Sequence, residues 1–154
     1  MSLLQRQKLD IQKDCECVLQ YGFHMHDCYI TNVSLSEQSL TFELEHGMYI
    51  MKGEDFVQTA SAKLVFSKLV NLICEIQYLC DSHRECVDLD VLQRDLDNGY
   101  VDVIYEMYND VIAHFEGILI KGSEWKTVEI NVFFQEFSIF YEEGRSLSET
   151  PFQR

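Results

Sequence analysis

From Val101 to Glu142 apolar residues return at every second position in four successive runs. Val101, Val103, Tyr105 and Met107 share one parity, followed by Ala113, Phe115 and Leu119, then Val128, Ile130, Val132 and Phe134, then Phe137, Ile139 and Tyr141. Successive side chains on a strand point to opposite faces, so a period of two predicts strands with one face buried. Turn chemistry near Asn109-Asp110, at Gly122-Ser123 and at Gln135-Glu136 separates the runs. On this parity Tyr108 falls on the wet side, among carboxylates.

The rest of the chain reads less uniformly. Ile11, Cys15, Val18 and Leu19 form a stripe at spacings of three and four, which predicts an N-terminal helix over residues 1–22. Gly22 stands where that helix stops, and Gln5-Arg6-Gln7-Lys8 is polar enough to fray. Tyr29 to Leu35 and Leu40 to Leu44 read as a hairpin around Ser36-Glu37-Gln38-Ser39, and Met48 to Met51 as a strand ended by Gly53. Residues 60–80 fit a strand period and a helical stripe alike; their β-branched content favours two strands broken near Ser67-Lys68. Asp90 to Asp97 reads as a short helix with Asp90 as its cap and Gly99 just beyond it. The expectation is a mainly β (α+β) protein: an antiparallel meander or sandwich in a single domain over 1–154, with an N-terminal helix, one short internal helix and a polar tail over 145–154.

A chain of 154 residues can bury a core without staples. No apolar run is long enough for a membrane helix, and the N-terminus has no apolar segment followed by a small-residue cleavage site. The six cysteines therefore read as reduced thiols of a cytoplasmic protein. The net charge of −14 is uneven: from Asp81 to Glu116 ten carboxylates face only Arg84 and Arg94. Such a surface repels a phosphate backbone, which argues against nucleic acid, and attracts a basic protein. Asp95, Asp97, Asp102, Glu106 and Asp110, with Tyr108 among them, are the candidate partner-binding residues, because aromatics anchor interfaces and charge guides encounter. Exposed strand edges also leave room for a homo-oligomer.

Motifs for chemistry are sparse. There is no G-x-S-x-G elbow, P-loop or GxGxxG run, and Asp95-Leu96-Asp97-Asn98-Gly99 places its glycine wrongly for a calcium loop. The residues point away from an enzyme, and no cofactor is expected. His24, His26 and Asp27 are the candidate metal ligands, since His24 and His26 would share a face if extended. The grouping is similar to the His-x-His-x-Asp-His run of metallo-hydrolases, but Asp27 comes one place early and no histidine follows. Cys80, His83 and Cys86, spaced by three, are a second candidate set without zinc-knuckle spacing.

Phe23-His24-Met25-His26-Asp27-Cys28-Tyr29-Ile30, leading into Val33-Ser34-Leu35 and Leu40-Thr41-Phe42-Glu43-Leu44, resembles the opening of small bacterial β-rich families. In these a His-Asp-x-x-Ile step begins the first strand of a meander. Some are uncharacterised and some are immunity proteins of toxin systems. The resemblance implies a cytoplasmic, non-enzymatic protein that neutralises a partner by binding it, with His26-Asp27 in a structural role. Two other readings stand beside it: a metal-dependent enzyme on His24, His26 and Asp27, and a small-ligand-binding β domain.

Overall fold

The computed structural model describes residues 4–8, 22–69 and 74–144. In chain order the strands are β1 (Leu4–Lys8), β2 (Phe23–His24), β3 (Tyr29–Ile30), β4 (Asn32–Ser36), β5 (Ser39–Leu44), β6 (Tyr49–Lys52), β7 (Asp55–Gln58), β8 (Ala62–Ser67), β9 (Cys74–Cys80) and β10 (His83–Val87). Helix α1 (Leu89–Leu96) follows, then β11 (Gly99–Tyr108), β12 (Ile112–Lys121), β13 (Glu124–Phe133) and β14 (Glu136–Glu142). The protein is mainly β, with one short helix among the described residues. Every pairing is antiparallel, in a five-stranded sheet β1-β14-β8-β5-β4, a six-stranded sheet β10-β9-β13-β12-β11-β3 and a small sheet β2-β6-β7.

The period of two builds the core. Leu40, Phe42 and Leu44 on β5, Leu64 and Phe66 on β8, and Phe137 and Ile139 on β14 line the inner face of the five-stranded sheet. Phe115 and Leu119 on β12 and Val128, Ile130 and Val132 on β13 line the other. Phe42 meets Phe115 with ring centroids 5.3 Å apart, and Phe66 meets Phe115, Phe134 and Phe137 at 6.2, 5.3 and 5.1 Å. Aromatic contacts across the two faces are the mark of a sandwich, in which the inner side chains of two sheets interdigitate.

The strands expected in 60–80 form as β8 and β9, with Lys68 at the break in a left-handed conformation (φ 52°). The hairpin loop is tighter than expected: Ser36 pairs with Ser39, leaving Glu37-Gln38 as the turn. The stretch Tyr29 to Leu35 is split, because β3 pairs with β11 and β4 with β5, in different sheets. At the crossover Thr31 donates its N–H to the Glu43 carbonyl at 2.8 Å, and its hydroxyl accepts the Glu45 N–H at 3.2 Å.

Three expectations are corrected. Leu4–Lys8 is not helical but the edge strand β1 on β14, while 9–21 of the expected helix lie outside the described residues, as does the 145–154 tail. The cap of α1 is Asp88, with extended backbone and no side-chain capping bond; Asp90 sits in the first turn, where its charge suits the helix dipole. Strands β7 and β10 were not expected, because neither carries an apolar alternation. Among the described residues no helix is long and apolar enough to cross a membrane.

Candidate functional site

The decisive local feature is a bulge in β11. Val103 pairs with Gly117 and Tyr105 with Glu116, so Ile104 is an extra residue with no partner on β12. One inserted residue moves everything after it to the other face. Val101 and Val103 stay inside, but Ile104, Tyr105 and Met107 turn outward and are each more than two-fifths exposed, beside Val111 at 56%. The close backbone approach at this point needs Gly117: a Cβ there would lie 2.5 Å from the Asp102 carbonyl oxygen.

The same shift carries Glu106 and Tyr108 into the core, at 6% and 2% exposure. Their expected placement on the wet face is corrected, as is the inward placement of Tyr105 and Met107. Glu106 is not abandoned there. Its carboxylate accepts the Met25 N–H at 2.7 Å and the Tyr108 hydroxyl at 3.0 Å, and that hydroxyl lies 3.8 Å from the Met25 sulfur. Burial nevertheless outweighs these bonds and pushes the Glu106 carboxyl up to about 7. Cys28, buried nearby, is pushed up to about 12 by burial and by the Glu106 and Asp102 charges.

The remaining acids of the expected patch do not form one cluster. Asp97 is exposed at the end of α1. Asp95 is tied down, accepting the Tyr78 hydroxyl at 2.7 Å and Lys121 at 3.3 Å. Asp102 is half-buried beside Tyr29, its carboxyl raised by burial, against which the nearby His26 pulls it down. Asp110 is half-buried in the turn after β11, and Glu116 joins the outward face opposite Tyr105. His114 lies between, 2.6 Å from the Asn131 amide oxygen and 3.2 Å from Glu116.

The candidate metal ligands His24, His26 and Asp27 are not brought together. The His24 ring packs on Tyr49 (centroids 4.7 Å, nearly parallel) and against the edge of Phe56 (4.8 Å). The chain leaves β2 after His24, so His26 and Asp27 sit in a turn, with Asp27 at φ 63°. His26 is well exposed, 3.8 Å from Asp27, and Met25 between the two histidines is fully buried. The extended run from His24 to His26 that would set both rings on one face is absent.

Among the described residues one group does bring three ligand side chains together: Cys80, His83 and Glu85, whose ligand atoms all lie within 4.8 Å of one another. Cys80 and His83 stand at the mouth of the β9–β10 hairpin, in an open cleft also lined by Arg84, by Trp125, 69% exposed, and by Lys126, whose ammonium sits 4.9 Å from the centre of the Tyr78 ring. Cys86, expected with Cys80 and His83, instead faces the opposite side with Gln77. Glu85 escaped the sequence reading because β10 did; had 83–87 been read as a strand, its position two places past His83 would have put both on one face.

No protein-family model, no curated protein and no solved structure matches this chain.

Proposed function

We propose that this chain is a cytoplasmic protein-binding protein that engages a basic partner, in the manner of an immunity-type inhibitor, through the outer side of β11. One observation carries the reading: the bulge delivers Ile104, Tyr105 and Met107 to solvent, with Val111 just beyond. Burying these side chains in water-free contact is worth about 25 cal/mol per Å² of apolar area. Glu116 lies opposite Tyr105 and Asp110 directly precedes Val111, and the net charge of −14 favours approach by a cation-rich surface. Tyr105 takes the anchoring role that the sequence reading gave to Tyr108.

The test is co-expression with the products of the adjacent genes, followed by stopped-flow association of any pair that co-purifies. A partner on this surface associates more slowly as salt rises from 0.02 to about 0.5 M, because the Debye length shortens from about 20 to 4 Å. Tyr105→Ala speeds dissociation by roughly tenfold or more, the effect of losing an aromatic anchor. Binding indifferent to both changes would show that the partner sits elsewhere.

A further inference from the structure

The β9–β10 hairpin closes through the two residues Asp81-Ser82, which sets His83 directly opposite Cys80 and Glu85 opposite Tyr78. Residues two apart on a strand share a face, so His83 and Glu85 lean to the Cys80 side while Arg84 and Cys86 lean away. Arg84 is engaged on that other side by Glu129 at 2.6 Å and Gln77 at 3.0 Å. Cys80 is a free thiol whose sulfur lies 4.0 Å from the Glu85 carboxylate.

We propose that Cys80, His83 and Glu85 form a binding site for a divalent transition ion of the zinc class, with a fourth position left open to water. Sulfur, imidazole nitrogen and carboxylate oxygen are the three ligand types zinc takes, and three protein ligands plus an open position is a recurrent arrangement. The thiolate and the carboxylate together neutralise a dication, while the imidazole binds as its neutral form. Calcium and magnesium require oxygen ligands throughout, so this set selects against them. Bonds of about 2.0–2.3 Å to a tetrahedral ion put neighbouring ligand atoms roughly 3.3–3.8 Å apart. The present spread of up to 4.8 Å therefore closes with side-chain movements of about 1 Å, which exposed His83 and Glu85 make without disturbing the sheet. This site is independent of the surface on β11.

The experiment is anaerobic titration of the metal-free full chain with cobalt(II), read by absorption. The expected result is one equivalent of cobalt with a sulfur-to-metal charge-transfer band and strong four-coordinate ligand-field bands, both lost when zinc is added. Cys80→Ser removes the charge-transfer band. His83→Ala and Glu85→Gln each weaken binding by roughly tenfold or more, and Cys86→Ser leaves it unchanged. Because the three ligands are at the surface, circular dichroism should show every variant folded. The assignment is overturned if cobalt gives no such band, if the band persists in Cys80→Ser, which would place the thiolate at another cysteine such as Cys15 or Cys17, if Cys86→Ser abolishes it, or if Glu85→Gln binds as tightly as the parent.

Discussion

Glu106 offers the sharpest test of the β11 bulge, because a carboxyl enters the core only if the parity changes at Ile104. In the folded chain its carboxyl titrates at about 7, against an ordinary 4.5, so between these values the folded state holds a proton that the unfolded state has released. Stability linked to this group is full below about pH 4.5 and declines as pH rises towards 7. At 1.36 kcal/mol per pH unit the loss comes to about 3 kcal/mol. Other carboxylates titrate in the same range, so the informative quantity is a difference. Glu106→Gln keeps an oxygen for the Met25 N–H and an amide that donates to the Tyr108 hydroxyl oxygen, but it carries no charge. Urea unfolding of both proteins from pH 4 to 8 should show them similar at the acid end. The variant should then gain over the parent until it leads by about 3 kcal/mol near neutrality. A difference that stays constant across the range would mean that Glu106 is solvated, and with it the bulge reading would fall.

Three further outcomes follow from the same geometry. Phe66→Ala, which empties the ring bridging Phe42, Phe115, Phe134 and Phe137, should cost about 3–5 kcal/mol in urea unfolding. Gly117→Ala places a methyl 2.5 Å from the Asp102 carbonyl oxygen and 2.8 Å from Val101 Cγ1; a loss of about 1–3 kcal/mol is expected, and an unchanged midpoint would show the strands further apart. With a disulfide reagent at pH 8, peptide mass spectrometry should find exposed Cys86 modified in the native protein, whereas Cys28, buried and pushed up to about 12, should react only in denaturant.

The buried parity of β12, β13 and β14 was legible because each keeps one register from end to end, so alternation in sequence is alternation in space. In β11 it was legible only as far as Val103. The step Val103-Ile104-Tyr105 has no glycine and no turn residue to announce a bulge, and the partner that permits it, Gly117, lies on another strand. That single unseen insertion misplaced Tyr105, Glu106, Met107 and Tyr108 together. Strand β10 was hidden for another reason: its residues are held by pairing to β9 rather than by burial, and an exposed edge strand needs no apolar period. The His24 to Asp27 group looked like ligands because residue type is visible in sequence, whereas the turn at Asp27 and the stacking on Tyr49 and Phe56 are tertiary.

The crossover at Thr31 couples the two halves of the sandwich mechanically. Because one uninterrupted eight-residue stretch is stitched to β11 at its start and to β5 at its end, prising the layers apart must tear backbone bonds in both at once. The amide proton of Thr31, bonded to the Glu43 carbonyl, should accordingly exchange with deuterium only when the whole molecule unravels, on the slowest clock the protein has.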